Sequence, residues 1–393
     1  MNLPEISYID ELVALRRDIH SHPELAFQEK RTAGIVAREL ERFGISVHRS
    51  IGKTGVVGVL KAGSGARSIG LRADMDALPL AEHNDFAYKS VHPDLMHACG
   101  HDGHTVMLLG AARYLAEHRG SFDGSLVFIF QPAEEGECGA REMINDGLFE
   151  RFPMDSVYGL HNWPGITVGE MAVMAGPVMA GISRFEITLR GRGGHAAMPH
   201  LADDVLVAAG QLATSLHSAA SRNLHPTEAA VVSVTRFDAG SAWNVLPEEA
   251  ILRGTIRIFS SQAQSAIAAA IIRMADGTAA AYGAKAEVKF THIDHPTINT
   301  PVETERCFAA ACDILGKDGV NGKSLPSMAS EDFSCLLEQK PGCYVWLGAG
   351  PETDGRPLHS PNYDFNDEIL PIGIAYWVRL AQTLLPAPPR GGQ

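Results

Sequence analysis

The chain predicts an α/β fold of discontinuous build. One domain, with a mixed, mostly parallel sheet, spans 1–182 and 296–393, and a two-layer α+β unit of order β-α-β-β-α-β is inserted at 183–295. Three observations lead there. At 393 residues the chain exceeds the size at which a single hydrophobic core keeps growing. The run Leu126-Val127-Phe128-Ile129-Phe130 shows no polar alternation, as expected of a parallel strand covered on both faces. Between 183 and 295 the strand-like segments alternate instead, and beyond 296 the mixed pattern returns.

Taken in order, residues 8–20 and 28–43 read as helices, the second with Ala33, Val36, Ala37, Leu40 and Phe43 along one stripe. Gly44 ends it where a left-handed residue is wanted. Strands follow at 45–48, 55–60 and 68–73, the last entering Asp74-Met75-Asp76-Ala77-Leu78-Pro79. A helix at 102–118 leads to the apolar strand 126–130, which stops at Gln131-Pro132. Glu134-Glu135 thus fall just past its carboxyl end, the edge at which open α/β sheets form sites. The insertion reads as strand 183–190, helix 202–220, strands 230–237 and 250–259, helix 262–283 and strand 286–292. The Pro/Gly-rich tail 386–393 is expected to be loosely ordered, and no internal repeat is present.

The net charge of -13 argues against nucleic acid and anionic membranes as partners. The N-terminal segment lacks the basic and then apolar run of a secretory signal, and no stretch approaches ~20 uninterrupted apolar residues. The six cysteines form no C-x-x-C pair, so the expectation is a cytoplasmic chain with reduced thiols. Cys307 and Cys312, in an Ala-rich helical pattern, read as buried small hydrophobes.

Chemistry concentrates in Met96-His97-Ala98-Cys99-Gly100-His101-Asp102-Gly103-His104, a thiol and imidazoles within nine residues. Cys99 and His101 would diverge by about 200° on a regular helix, but Gly100 permits an irregular approach that lets both meet one metal. Thiolate and imidazole suit borderline divalent ions, and a thiolate can bridge two of them. Glu134 and Glu135 can diverge, one binding metal and the other facing the reaction volume as a general base. His161 and His359 lie at strand and loop edges, where function is disproportionately placed. Asp74 or Asp76 could hold a ligand imidazole in its metal-binding tautomer. In the insertion, Gly191-Arg192-Gly193-Gly194-His195 matches neither a dinucleotide nor a phosphate loop. Its His195 could donate to a developing oxyanion, while Asn244 and Arg257 are candidates for holding a substrate carboxylate.

Motifs in sequence order then point to a family. They are His22-Pro23-Glu24-Leu25, Arg72 through Pro79, Met96 through His104, Gln131 through Gly136 and Gly159-Leu160-His161. Gly191 through His200, Asn244-Val245-Leu246-Pro247, Gly254-Thr255-Ile256-Arg257, Met328 through Phe333 and Leu358-His359-Ser360-Pro361 complete the series. The chain resembles the bacterial and plant amidohydrolases that include hippurate hydrolase, indoleacetyl-amino-acid hydrolase and N-acetyl-diaminopimelate deacetylase, relatives of the aminoacylases and di-zinc carboxypeptidases. The one minor departure is Asp203-Asp204-Val205, where a proline often follows the aspartate.

The resemblance implies a di-metal peptidase-like catalytic domain and an inserted lid or dimerisation domain. It implies two divalent ions (Zn, Mn, Co or Ni) bridged by Cys99, one completed by His101 and Glu135 and the other by His161 and His359. Glu134 would be the general base, Asp76 the support of the ligand set, and His195 a polarising donor often presented across a dimer. Asn244 and Arg257 would bind the amino acid's carboxylate. The implied reaction is hydrolysis of small N-acyl amino acids by a homodimer or higher homo-oligomer. Three other readings compete: a metallo-dipeptidase or carboxypeptidase of the same fold, a catalytically silent homodimer, and a cysteine-nucleophile hydrolase.

Overall fold

The N-terminal helices α1 (Ile9–His20) and α2 (Lys30–Arg42) bury one stripe each: Leu12, Arg16, Ile19 and His20 on the first, Ile35, Val36, Ala37 and Leu40 on the second. Gly44, at φ 72°, takes the left-handed conformation just beyond α2. This computed structural model describes residues 1, 3–351 and 357–388, so 389–393 of the expected loose tail lie outside the described residues.

Two units make up the chain. The first comprises Met1–Val178, Ile298–Leu325 and Asp332–Gln393, the second Met179–Thr297 and Pro326–Glu331. The junctions differ slightly from the boundaries 182/183 and 295/296, and 326–331 joins the second unit although sequence pattern assigns it to the first. The reason is a long-range pairing: the Ala180 amide meets the carbonyls of Ser327 (3.0 Å) and Ala329 (2.9 Å).

After α2 the first unit runs through β1 (Ser46–Ile51), β2 (Gly55–Ala62), β3 (Ser68–Asp74), α3 (His101–Glu117) and β4 (Gly124–Gln131). Then come α4 (Gly139–Asn145), α5 (Leu148–Arg151), β5 (Ser156–Trp163), β6 (Met171–Ala172) and β7 (Gly176–Met179). The second unit supplies β8 (Gly181–Arg190), β9 (Gly194–His195), α6 (Val205–Leu216), α7 (Ser218–Ser221) and β10 (Ala230–Ala239). It continues with β11 (Val245–Leu246), β12 (Glu249–Ile258), α8 (Ser261–Ala281) and β13 (Lys285–Asp294). The chain then forms β14 (Thr297–Asn299), α9 (Pro301–Leu315), β15 (Val320–Asn321), α10 (Ser334–Gln339), β16 (Gly342–Gly348) and α11 (Leu370–Leu384).

The first unit's sheet has the order β1-β2-β4-β3-β5-β16-β6-β15. Strands β4, β3, β5 and β16 are mutually parallel, whereas β2 runs antiparallel to both β1 and β4. The apolar run of β4 therefore reflects burial on both faces, with a parallel neighbour on one side only. Helix α3 is buried along most of its circumference and packs against α1 and α11. Each fully buried Leu or Phe side chain here contributes about 1.5–3 kcal/mol. Cys307 is fully buried in this core as expected, but Cys312 is only half-buried.

A buried guanidinium ties the strand ends together. Arg72 on β3 donates to Asp74 (2.7 Å), to Gln131 at the end of β4 (2.8 Å) and to Asp332 (3.1 Å), and Gln131 Nε2 also reaches Asp332 (2.7 Å). Loss of one partner from such a buried charge network costs about 3–5 kcal/mol. The network fixes the carboxyl ends of β3 and β4, from which Asp76 and Glu134 project onward.

The second unit is an antiparallel sheet, β10-β12-β8-β13, with its own apolar cluster that includes Ile187, Leu189, Leu212, Leu252, Ile256 and Ile267. Strand β12 alternates strictly between buried and half-buried residues, the period of a sheet with one covered face. Helix α6 begins at Val205 rather than at 202 because the Asp204 side chain caps it, accepting from the Val207 amide at 3.1 Å. Among the described residues, no helix is long and apolar enough to cross a membrane.

Candidate metal centre

The centre begins at the carboxyl end of β3. Leu78 and Met96 exchange backbone hydrogen bonds of 3.0 and 3.1 Å, which lays the Asp76 segment beside the residues leading to Cys99. Gly100 caps α3 at φ 94°, and a Cβ there would lie 2.3 Å from Asn162 Oδ1 and 2.7 Å from the Tyr363 hydroxyl. Only glycine fits this approach and this φ. The kink lets Cys99 and His101 serve one site despite their spacing.

Both buried imidazoles are oriented from behind. His101 Nδ1 donates to the Asp76 carbonyl (2.9 Å) and lies 3.3 Å from Asp76 Oδ1. His161, near the end of β5, donates from Nδ1 to the Asn162 carbonyl (2.6 Å). A carbonyl can only accept, so each Nδ1 carries a proton and each Nε2 is turned toward the site. His161 Nε2 lies 3.4 Å from Cys99 Sγ.

Glu135 is placed through its amide, which donates to Asp76 Oδ2 at 2.9 Å, and its Oε1 is 3.1 Å from His359 Nε2. His359 is exposed and adopts φ 63°, held by its amide on the Ala98 carbonyl (2.7 Å). Among the described residues, five groups bring candidate donor atoms within 4.8 Å of one another, and three of them join two or more of the expected ligands: Cys99/His101/His161, Cys99/Glu135/His359 and His101/Glu134/Glu135. All five expected ligands and the expected base thus converge. Cys99 belongs to two groups; these pair His101 with His161 and Glu135 with His359, while the third pairs His101 with Glu135.

The donor set fits divalent metal ions. His101 Nε2 is buried without a hydrogen-bond partner, and the buried Glu135 Oε1 and Asp76 Oδ1 meet only the imidazoles of the same cluster, His359 Nε2 at 3.1 Å and His101 Nδ1 at 3.3 Å. Electrostatics agree. Burial, with His104 adding to it, pushes the His161 pKa well down, so its ring is neutral. His101 is pulled the other way: Asp74 and Cys99 outweigh its burial and raise it. Cys99 and Glu135, by hydrogen bonds, push His359 up to about 10. The site draws positive charge, which protons supply when no metal does.

His104, one helical turn from His101, is not in the same position. Its Nδ1 is 2.6 Å from Asp74 Oδ1 and its Nε2 is 2.7 Å from Asn162 Oδ1, so both nitrogens are engaged. Behind the site, Asp102 contacts His20 Nδ1 (2.9 Å) and Arg16 (3.4 Å), and His20 Nε2 lies 3.3 Å from Glu82. Burial opposes the His20 cation, but these carboxylates prevail and raise its pKa to about 9. Sequence patterning does not assign these roles, because the partners lie far apart in the chain. The only local signal is His104, three residues after His101.

The remaining candidates lie in the second unit. There β9 and β11 pair His195 with Val245, and Ala196 donates to the Asn244 carbonyl (3.0 Å). His195 and Asn244 thereby line one concavity of about 410 Å³. His195 is exposed, and its Nδ1 accepts from the Ala197 amide at 3.0 Å, which leaves Nε2 as the ring's donor. Arg257, half-buried on β12, donates to the Met328 carbonyl at 3.3 Å, and burial lowers its pKa. It does not line the concavity that His195 and Asn244 share.

Comparison with known proteins adds four findings. Residues 70–383 match the family described as peptidase family M20/M25/M40. A hippurate hydrolase of Campylobacter jejuni is 41% identical over 383 residues, or 97% of this chain and 99% of that protein. An N-acetylcysteine deacetylase of Bacillus subtilis is 38% identical over 377 residues, or 95% and 97%. Among solved structures, a dinuclear metal-binding peptidase from the M20 family of Bacillus subtilis aligns with a TM-score of 0.86 at 34% identity, covering 98% of this chain and all of that one.

Proposed function

The chain belongs to peptidase family M20/M25/M40, and from that premise we propose that it is a metal-dependent amidohydrolase cleaving the amide bond of N-acyl amino acids. One observation carries the reading: Cys99, His101, Glu135, His161 and His359 converge in overlapping donor groups, with the Glu134 carboxylate in reach. The names of the two relatives, a hippurate hydrolase and an N-acetylcysteine deacetylase, support the choice of bond.

In this reading Cys99, His101, Glu135, His161 and His359 would hold two divalent ions, with Cys99 as the donor common to both, His101 and Glu135 serving one and His161 and His359 the other. When bound, such ions (Zn, Mn, Co or Ni) supply a Lewis-acid pole for the acyl carbonyl and acidify the attacking water. Glu134 takes the proton from that water and returns it to the departing nitrogen. Asp76 holds His101 and the Glu135 amide in place. His195 offers its Nε2–H to the oxygen that becomes negative, and Asn244 and Arg257 bind the amino acid's carboxylate. The setting is cytoplasmic, supported by six cysteines without a disulfide.

The test is release of free amino acid from N-benzoyl, N-acetyl and indoleacetyl amino acids and from simple dipeptides. The enzyme is first stripped of metal and then resupplied with each ion. Release from one acyl class, only with metal, is the expected result. Cleavage of dipeptides alone would move the enzyme to the peptidase reading, which the family description also accommodates.

Self-association through the second unit belongs to the same proposal. Leu206 and Val207 on α6, and Val231 and Phe237 on the edge strand β10, are exposed apolar side chains. Sedimentation is expected to give twice the chain mass. A fully active monomer would defeat this part.

A further inference from the structure

The His22-Pro23-Glu24-Leu25 motif and the nearby Glu29 take no part in the chemistry assigned above, yet Glu29 is fully buried. A carboxyl group out of water needs partners, and Glu29 has three. Oε1 accepts from the amides of Phe27 (3.0 Å) and Ala133 (2.9 Å), and Oε2 accepts from the Thr54 hydroxyl. Ala133 immediately precedes Glu134 and sits at φ 55°, a left-handed conformation that costs a residue with a Cβ about 1–2 kcal/mol. The turn continues through Gly136 at φ 88° and Cys138 at φ 52°, and closes with the Gly139 amide on the Ala133 carbonyl (2.9 Å). Something outside the turn must hold it.

Two buried carboxylates do so from behind: Glu29 takes the amide of Ala133, and Asp76 the amide of Glu135. Glu24 extends the hold to the neighbouring strand end. Its carbonyl accepts from Ala77 (2.9 Å), while its carboxylate caps α2 through the amides of Arg31 (2.9 Å) and Thr32 (2.8 Å). Glu24 of the N-terminal motif and Glu29 thus grip the two segments from which Asp76 and Glu134 project.

The geometry points to Glu29 as a positioning residue for amide hydrolysis: by accepting the Ala133 amide it holds the left-handed turn that aims Glu134 and Glu135. This rests on the reading of Glu134 as the proton carrier. The requirement is for an acceptor rather than for a charge. Burial raises the Glu29 carboxyl to about 7, and a neutral acid keeps its carbonyl oxygen for the two amides. Glutamine can do the same, with its NH₂ donating to the Thr54 hydroxyl.

Glu29→Gln, Glu29→Asp and Glu29→Ala are compared with wild type in two ways. One is kcat and KM of the metal-loaded enzyme, and the other is hydrogen exchange of the 130–139 segment in metal-free protein. Misplacement by about 1 Å costs about 10²-fold in rate. Glu29→Asp and Glu29→Ala are therefore expected to lose about 10²-fold in kcat with little change in KM, and to exchange faster over 130–139. Glu29→Gln is expected to stay near wild type in both readouts. Wild-type kcat and exchange in Glu29→Asp would overturn the proposal, as would Glu29→Gln being as impaired as Glu29→Ala. If Glu29→Ala does not fold, Glu29→Asp decides, since its carboxylate remains but draws back from Ala133. The exchange result is independent of substrate, so failure of the amidase reading and failure of the brace are told apart.

Discussion

Glu134→Gln is expected to lower kcat by about 10²–10⁴-fold while leaving metal content at the wild-type level. The substitution is nearly isosteric and removes the one property assigned to this side chain, taking up a proton and giving it back. Its backbone setting is unaffected, because the turn is held through Ala133 and the Glu135 amide. KM should change little if Glu134 acts on water and leaving nitrogen rather than on bound substrate. The check pairs steady-state kinetics with metal analysis of the same sample. Loss of metal in Glu134→Gln would make Glu134 a ligand and leave the proton unassigned.

Cys99→Ala is expected to have its largest effect on metal occupancy. Cys99 belongs to two of the three donor groups that join expected ligands, so its removal weakens both at once. Activity should fall with occupancy and recover only in part at high metal concentration. A second signature follows from the thiol's environment. Burial, and then the nearby Glu135, raises the Cys99 pKa in the metal-free protein, so the thiol is protonated at neutral pH. A metal must displace that proton, and wild-type affinity should therefore rise with pH until the raised pKa is passed. Cys99→Ala lacks this proton, so its affinity should rise less steeply. Competition titrations with a chelator at several pH values measure both. Full occupancy in Cys99→Ala would remove the shared-donor assignment.

What was legible in the sequence was local. Cys99, His101 and the glycine between them lie within three residues, so the irregular approach that Gly100 permits could be read there, whereas the crowding by Asn162 and Tyr363 that demands glycine could not. The inserted unit was legible because its strands alternate with a period of two. The segment 326–331 was not, since only the pairing of Ala180 with Ser327 and Ala329 assigns it to the second unit. The same limit hides Arg72, whose partner Asp332 is 260 positions away. Strand β4 shows how a correct physical cue can be over-read. Its apolar run reports two covered faces, but β2 beside it is antiparallel. Spacing likewise does not separate His101 from His104: only Asp74 and Asn162, brought in from β3 and β5, occupy the second ring.

The most direct test of the account is anomalous diffraction at the metal edge from crystals grown with a single divalent ion. Two peaks are predicted, sharing Cys99 Sγ, with His101, Glu135, His161 and His359 completing their shells and Glu134 bound to neither. A single peak, peaks away from Cys99, or Glu134 as a direct ligand would contradict it.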